Sequence, residues 1–448
     1  MPETAGRQPD NHRAVRRHGL LLRKHLRRNF LIHSIEGGLH AGGLQFRAED
    51  IVLPVMVATL GGPSWLIGLV PILARIGYPL PPLFMAHVVE RLKRQKTLVL
   101  VTGFAQRLPF LLAGLALVLL PKDTPGLAVW AVAACPLLAG LAGGFGVTAW
   151  QEMVATTVPP NRRSSLWAIR SILASLIGVL AGYVIAKVMG RYGEGNAVGY
   201  GVLHLIAFGF VTASIVLIGF IHETPYPRRP SEHSASLWRN LSQMPAMIAG
   251  DRRLALYLAH NVLWAGLLVA LPFLSIHALS ALGKREGFVG TLLAAQMIGQ
   301  ISGNLLAGWT GDRLGGKVAA VCGEAATLAT CIWTATASTA WEFCGGFLLL
   351  GAGQAMSSVG LLTLSMELCP VQRRSSYLAV MSALPVPSLL AASQIGSGLW
   401  RATGGNYKVV AGVAACSVAL AMAFLVRVRE PRAQTPLGTI APASIASR

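Results

Sequence analysis

The decapeptide Gly308–Lys317 reads GWTGDRLGGK and lies between two long apolar runs, 288–307 and 318–337. It places Asp312 and Arg313 in a glycine-rich turn. Of the 448 residues, 53% are apolar and only 12% are charged, whereas soluble domains carry about 25% charged residues. Apolar runs of this length need lipid as their solvent, so the sequence predicts a multi-pass membrane protein.

Twelve apolar segments have the length of about 20–25 residues with which a helix crosses the hydrocarbon core. The predicted spans are 34–60, 64–86, 97–120, 127–157, 165–189, 200–222, 254–279, 287–308, 317–338, 343–368, 376–399 and 407–427. The predicted fold class is therefore an all-α membrane protein with twelve transmembrane helices.

The net charge of +20 could suit nucleic acid, but Lys and Arg lie in short clusters between apolar runs, so no nucleic-acid partner is expected. Twenty-seven of the 38 basic residues lie in the two tails, in the central linker and in one alternating set of loops, against seven in the other set. Basic loops stay cytoplasmic in multi-pass proteins. This asymmetry predicts cytoplasmic N- and C-termini, and we expect a bacterial inner (plasma) membrane location.

The decapeptide has a second copy at 86–96, AHVVERLKRQK. A second pair of matching segments is PNRRSSLWA at 160–168 and VQRRSSYLA at 371–379, and a Leu-Pro pair at 53–54 recurs at 271–272. These repeats predict two parallel six-helix bundles. The predicted parts are a basic tail (1–29), an N-terminal half (30–222), a cytoplasmic linker (223–253), a C-terminal half (254–427) and a C-terminal tail (428–448).

The chain resembles the major facilitator superfamily over nearly its whole length. The decapeptide matches the family's loop signature after span eight, whereas the earlier copy departs from it at Ala86, Glu90 and Lys93. The resemblance implies a cytoplasmic latch that holds helix ends across the halves. The alternative is a polar turn that only fixes topology. The latch residues would be Ala86, Glu90, Arg91, Gly308, Asp312, Arg313, Gly315 and Lys317.

Span five lacks the Gly-Pro signature of many drug–proton antiporters of this family. It carries Gly178 and Gly182 instead, which are spaced for close helix packing. A drug exporter of that type is therefore the less favoured interpretation.

Ionisable residues at membrane depth are costly and are candidates for function. The predicted charged wall of a cavity comes from the N-terminal half, and neutral polar and aromatic residues come from the C-terminal half. The alternative is that the charges only fix helix packing. The predicted substrate or proton pathway contains Glu36, His40, Arg47, Glu49, Asp50, Arg75, Arg107, Trp264, Gln296, Gln300 and Gln354.

Span one carries a polar series at spacings of 4, 3, 4 and 3: Glu36, His40, Gly43, Arg47 and Asp50. On a continuous helix these residues share one face, which we expect to line the cavity because lipid cannot accept it. Arg47 and Asp50 could pair with each other, or with Arg107 and Arg75 of the neighbouring spans.

These features predict a secondary active transporter that moves a small anionic or zwitterionic organic solute by alternating access. Glu49 and Asp50 make protons a plausible coupling ion. The alternatives are amphiphile or drug efflux, and a non-transporting sensor or scaffold on the same fold. The expected partners are a small-molecule substrate and the lipid bilayer. We expect a monomer that is not an enzyme and has no cofactor and no metal site.

The charge asymmetry predicts a definite topology. Reporter fusions after residues 122, 194 and 284 should report the outer side of the membrane, and fusions after 93 and 240 the inner side. Activity of a paired periplasmic and cytoplasmic reporter measures this. The inverted pattern would contradict the orientation.

Overall fold

The computed structural model describes residues 8–79, 94–119, 124–193, 195–223, 237–369 and 384–428, together with isolated positions between 81 and 92 and at 377, 380 and 381. The regular structure of these residues is entirely helical, with no strand. Eight helical stretches among them are long and apolar enough to cross a membrane. The predicted all-helical membrane fold is thus confirmed, and its twelve spans agree with the helices that follow.

The described helices of the N-terminal half are α1 (Gln8–Leu44), α2 (Val52–Thr59), α3 (Ser64–Gly77), α4 (Lys96–Leu119), α5 (Pro125–Thr157), α6 (Pro160–Tyr192) and α7 (Ala197–Ile218). Helix α8 (Leu237–Gly250) lies in the predicted linker. The C-terminal half contains α9 (Arg252–Trp264), α10 (Leu271–Leu282), α11 (Phe288–Leu314), α12 (Gly316–Thr336), α13 (Ala340–Leu368), α14 (Val386–Ala402) and α15 (Tyr407–Arg427).

Spans one and seven are both interrupted near their centres, which corrects their prediction as single helices. A 3₁₀ turn follows α1 at Gln45–Arg47, and another joins α9 to α10 at Ala265–Val269. The repeated Leu-Pro pair explains the shared position, since Pro54 and Pro272 lie in the first turns of α2 and α10. Proline suits a first helical turn but cannot continue a helix that arrives from before it.

Hydroxyl groups satisfy backbone carbonyls at these two breaks. Ser275 Oγ donates to the carbonyl of Ile51 at 3.0 Å, and Ser417 Oγ donates to the carbonyl of Leu263 at 2.7 Å. A backbone carbonyl without a hydrogen-bond partner costs several kcal/mol in hydrocarbon. These two bonds therefore stabilise the helices at the points where they are interrupted. The Ser275 bond also joins the two halves.

We call the end of the bundle where residues 94–96, 158–163 and 219–223 lie the basic end, and the other end the opposite end. One apolar core spans both halves and includes Leu53, Ile185, Phe273 and Leu292. Three smaller cores lie towards the basic end, and in the part of the chain that the structure describes each belongs to one half alone. The halves are therefore packed together at the opposite end and have separate cores at the basic end.

Glycines allow the closest approach between the halves. A Cβ on Gly182 of α6 would lie 2.4 Å from the carbonyl oxygen of Gly290 on α11, and a Cβ on Gly178 would lie 2.6 Å from the sulfur of Met297. The predicted role of Gly178 and Gly182 in close packing is confirmed, and their partners lie in the other half.

Gly182→Ala should weaken the closed opposite end, because a backbone carbonyl blocks the added methyl group. Overpacking costs about 1–3 kcal/mol, enough to raise the population of separated halves about tenfold. The measurement is the labelling rate of Ser275→Cys, a buried interface position, with the six native cysteines replaced by alanine.

Gly190→Ala is the matched control, because it lies on the same helix and a Cβ there meets open space. Labelling should rise in Gly182→Ala and stay at the parent rate in Gly190→Ala. Equal rates in both variants would contradict the packing role.

Candidate transport cavity

A central cavity of about 780 Å³ lies between the two halves. Its lining includes Trp167 and Arg170 early in α6 and Asn304 late in α11, which places its mouth towards the basic end. Six of the predicted pathway residues line it: His40, Asp50, Arg75, Trp264, Gln300 and Gln354. The structure therefore brings both halves' predicted residues to one cavity, although five of the eleven do not line it.

Asp50 and Arg75 form an ion pair on the cavity wall. Arg75 Nη2 donates to both carboxylate oxygens, at 3.2 and 3.1 Å, which is one of the pairings left open by the sequence. The Arg75 side chain is 44% exposed and that of Asp50 is 18% exposed. Water in the cavity can thus compete for this pair.

Glu36 and Arg170 form a more deeply buried ion pair between α1 and α6. Arg170 Nη1 donates to Glu36 Oε2 and to the His33 carbonyl, both at 2.7 Å. Its guanidinium carbon lies 5.0 and 5.3 Å from the ring centroids of Trp150 and Trp167. These contacts hold the planar cation in one orientation, with one edge towards the cavity.

Arg107 is buried inside the N-terminal half, where its described partners are all neutral. It donates to the carbonyls of Gly103 and Val211, to Gln106 and Ser214, and its Nη2 lies 3.1 Å from His40 Nδ1. Because a guanidinium only donates, His40 Nδ1 accepts this bond. Glu36, His40 and Arg107 line a smaller cavity of about 110 Å³ beside the central one.

The polar series of span one is not one helical face, because α1 ends at Leu44. Arg47 turns into the core instead, with its side chain 2% exposed and its cation 4.6 Å from the Phe110 ring centroid. Its nearest carboxylate oxygen belongs to Glu49, at 3.7 Å. Neither Nε nor Nη1 of Arg47 has a hydrogen-bond partner among the described residues. Only part of the predicted stripe, His40 and Asp50, reaches the central cavity.

Amide side chains form much of the polar wall in the C-terminal half. Gln296 lies behind the wall and donates to Gln354 at 3.0 Å. Gln300 accepts a hydrogen bond from Ser175 of α6 at 3.2 Å, which links the halves at the inner limit of the cavity. Trp264 supplies a flat aromatic surface next to these amides.

The described part of the predicted latch contacts the C-terminal half alone. Lys317 Nζ donates to the carbonyl of Val426 at 2.7 Å, and the Arg313 guanidinium lies 5.0 Å from the Trp309 ring centroid. Gly315 has a φ of +96°, which favours glycine at this tight turn between α11 and α12. Ala86, Glu90, Arg91 and the side chain of Asp312 lie outside the described residues, and Gly308 borders open space.

Two groups of polar contacts were not predicted. At the opposite end, the Glu286 carboxylate accepts hydrogen bonds from the Gly195 N–H and the Tyr200 hydroxyl, and so joins the halves. Inside the C-terminal half, His260 is hydrogen-bonded to Glu324. A single Glu before span eight and a His in span seven carry no local motif, so only their tertiary partners reveal them.

Removing the negative charge should destabilise the protein more at the buried ion pair than at the pair that faces the cavity. Glu36→Gln leaves Arg170 buried and uncompensated, which costs about 3–5 kcal/mol of folding free energy. Asp50→Asn leaves Arg75 in contact with cavity water and should cost about 0–1 kcal/mol. Thermal unfolding of each purified variant in detergent measures the two losses of stability. Equal losses of melting temperature would contradict the assignment of Asp50–Arg75 to a wet wall.

The C-terminal half of the sequence, residues 256–447, matches the sequence model of the Major Facilitator Superfamily. No curated protein matches the sequence. The fold, however, is shared with several solved transporters.

A structure of a mutant of the nucleoside transporter NupG is 14% identical, covers 89% of this chain and 99% of its own, and has a TM-score of 0.68. The D-xylose–proton symporter is 14% identical, covers 91% and 98% of the two chains, and has a TM-score of 0.67.

The E. coli xylose transporter XylE, in a partially occluded inward-open conformation, is 16% identical, with coverage of 90% and 99% and a TM-score of 0.64. These similarities concern the fold of nearly the whole chain. The sequence match to the superfamily model covers residues 256–447, and the structural similarity shows that nearly the whole chain has the fold of these transporters.

Proposed function

We propose that this protein is a secondary active transporter that carries a small zwitterionic or anionic organic solute through the central cavity by alternating access. The observation that carries the proposal is the Asp50–Arg75 pair, which lies on the wall of a cavity between two halves. The halves are packed together at one end of this cavity and have separate cores at the other.

Alternating access requires the closure between the two halves to move from one end of the molecule to the other. At the closed opposite end, the contacts that must break include the bonds of Glu286, the bond from Ser275 to Ile51, the glycine contact between α6 and α11, and the packing of α3 on α14 within the shared apolar core. The positive-inside rule makes the basic end cytoplasmic. The conformation is then inward-facing, and Arg313 and Lys317, which contact the C-terminal half here, engage the other half in the outward-facing state.

The charge of the cavity wall favours a solute with a carboxylate. Arg75 is the most exposed of the four arginines within the N-terminal spans, and a carboxylate of the solute can replace Asp50 as its bidentate partner. Asp50 is then available to accept a hydrogen bond from an ammonium group of the same solute. The four amides Gln45, Gln300, Asn304 and Gln354 supply neutral donors and acceptors around this pair.

Efflux of amphiphilic compounds is the second candidate function, and the apolar part of the wall favours it. Trp167 and Trp264 face the cavity together with Leu267, Leu268, Leu271, Leu361, Leu362 and Leu389. A solute with one apolar face and one charged end would fit this division of the wall. Inhibition of solute uptake by hydrophobic cations would favour this function over the first.

We also propose an oligomeric state, a membrane location and a coupling ion. The protein acts as a monomer in a bacterial inner membrane with both termini in the cytoplasm. Helix α1 begins before the predicted membrane boundary and exposes Arg23, Lys24, Arg27 and Arg28, which suits contact with anionic headgroups. Protons are the proposed coupling ion.

Uptake and exchange by purified protein in liposomes, tested against amino acids, organic acids, sugars and nucleosides, examine the function directly. We expect at least one zwitterionic or anionic solute to move. For that solute, Arg75→Ala should raise KM at least tenfold, because it removes a charged hydrogen-bond partner worth about 1.5–3 kcal/mol.

Arg191→Ala is the matched control, because Arg191 is exposed at the end of α6 and does not line the cavity. Its KM should equal that of the wild type. Movement of neutral amphiphiles alone, or an unchanged KM in Arg75→Ala, would contradict the proposed substrate class.

A further inference from the structure

A second ionisable cluster lies inside the C-terminal half, behind the cavity wall. His260 of α9 and Glu324 of α12 are both fully buried, and His260 Nε2 is hydrogen-bonded to Glu324 Oε1. The other carboxylate oxygen, Glu324 Oε2, has no hydrogen-bond partner among the described residues. An ionised carboxylate with an unsatisfied oxygen is costly in a water-poor interior.

The hydrogen bonds indicate how many protons the pair holds. His260 Nδ1 lies 3.0 Å from the amide oxygen of Asn261, which can only accept, so Nδ1 carries a proton. The contact between Nε2 and Oε1 then requires another proton, on one atom or the other. The pair in this geometry holds one proton more than an ionised carboxylate beside a neutral imidazole, and its net charge is zero.

The surroundings of Glu324 differ from those of the buried acids in the N-terminal half. Glu36, Glu49 and Asp50 each lie within an ion pair with an arginine. Glu324 has no such partner among the described residues. The titratable group that faces the pair among the described residues is Tyr257, whose ring lies 6.0 Å from the His260 ring. Tyrosine is neutral at neutral pH, so a proton is the cation that this site can gain.

Two contacts connect the pair to the central cavity. The His260 ring stacks on Trp264, which lines the cavity, at a centroid distance of 6.3 Å. Ser357 also lines the cavity, and its buried hydroxyl has no partner among the described residues. That hydroxyl would lie 2.6 Å from a Cβ at Gly323, the residue before Glu324. Ser357 thus brings a hydroxyl group of the cavity wall next to the backbone of the residue before Glu324.

We propose that the His260–Glu324 pair is the proton-binding site that couples transport to the proton gradient. A hydronium ion in the cavity gives one proton to the Glu324 carboxylate and leaves a water molecule. The new O–H bond changes the net charge of the pair from −1 to 0. The proton leaves by the reverse step when the cavity opens to the other side. The proposal rests on the transport function proposed above and moves the coupling site from Glu49 and Asp50 to the C-terminal half.

The position of Trp264 links this site to the solute. Trp264 is the last residue of α9, directly before the 3₁₀ turn that interrupts span seven. A solute that contacts Trp264 can shift the end of α9 and with it the His260 ring. Solute binding and the affinity of the pair for a proton are then coupled, and the coupling acts in both directions.

Infrared difference spectra of the purified full-length protein between acidic and alkaline pH test the site without any solute. We expect a carboxylic acid C=O band from a buried group that titrates in the wild type and is absent in Glu324→Gln. Glu342→Gln, at an exposed position early in α13, is the matched control and should keep the band. A band that persists unchanged in Glu324→Gln overturns the proposal.

A second variant covers the case in which Glu324→Gln does not fold. His260→Gln keeps the carboxyl group and removes its partner, so the midpoint of the band should move by one pH unit or more. An unchanged midpoint overturns the proposal.

Transport in liposomes separates this proposal from the proposed function. With a gradient of one pH unit, a wild type that couples one proton to each solute accumulates it about tenfold. Glu324→Gln should lose accumulation and keep exchange within about twofold, whereas the control Glu342→Gln should keep the tenfold accumulation. Full accumulation by Glu324→Gln overturns the proton site and leaves the transport function standing. A wild type that moves no solute contradicts the transport function, and the infrared result still decides whether the pair binds a proton.

Discussion

Hydrocarbon does not solvate charge, and the arrangement of the N-terminal half follows from this constraint. Four arginines lie within its spans, and each is accommodated differently. Arg75 faces a wet cavity with a carboxylate partner, and Arg170 is held by Glu36 and two tryptophans. Arg107 is surrounded by neutral acceptors, and Arg47 lies against Phe110 in the core. The proposed exchange of a carboxylate partner for a solute concerns Arg75, the most exposed of the four.

The same constraint explains why the two halves meet as they do. Interrupted helices leave polar backbone groups at membrane depth, and hydroxyl groups satisfy two of their carbonyls. One of these bonds crosses between the halves, as do the bonds of Glu286 and the glycine contact. Shared apolar packing at one end and separate cores at the other make a hinge-like change possible without disruption of either half. Interfaces with two stable packings are the physical basis of conformational switching in proteins.

The sequence predicted the features that local pattern controls. Apolar length predicted the spans, the Gly178–Gly182 spacing predicted close helix packing, and the repeated Leu-Pro pair lies where spans one and seven are interrupted. The interruption itself was missed, because the period of the polar residues in span one resembles a helical face. As a result Arg47, expected in the cavity, lies in the core.

Partner choice was beyond the sequence, because it depends on residues far apart in the chain. Three arginines were possible ion-pair partners of Asp50, and the position of α3 brings Arg75 to it. Glu324 and His260 are 64 positions apart and belong to no motif, so their pairing is visible only in the packed C-terminal half. The sequence predicted a central cavity shared by both halves. It did not predict that Trp167 and Arg170 of α6 line this cavity.

We propose that this molecule alternates between closure at its two ends. Spin labels at exposed positions measure both ends at once: Arg162 with Leu314 at the basic end, and Arg191 with Lys284 at the opposite end. Pulsed dipolar spectroscopy of each pair, across pH and with a transported solute, should show two distance populations that change in opposite senses at the two ends. A single unchanged distance at each end, or changes of the same sense at both, would contradict alternating access.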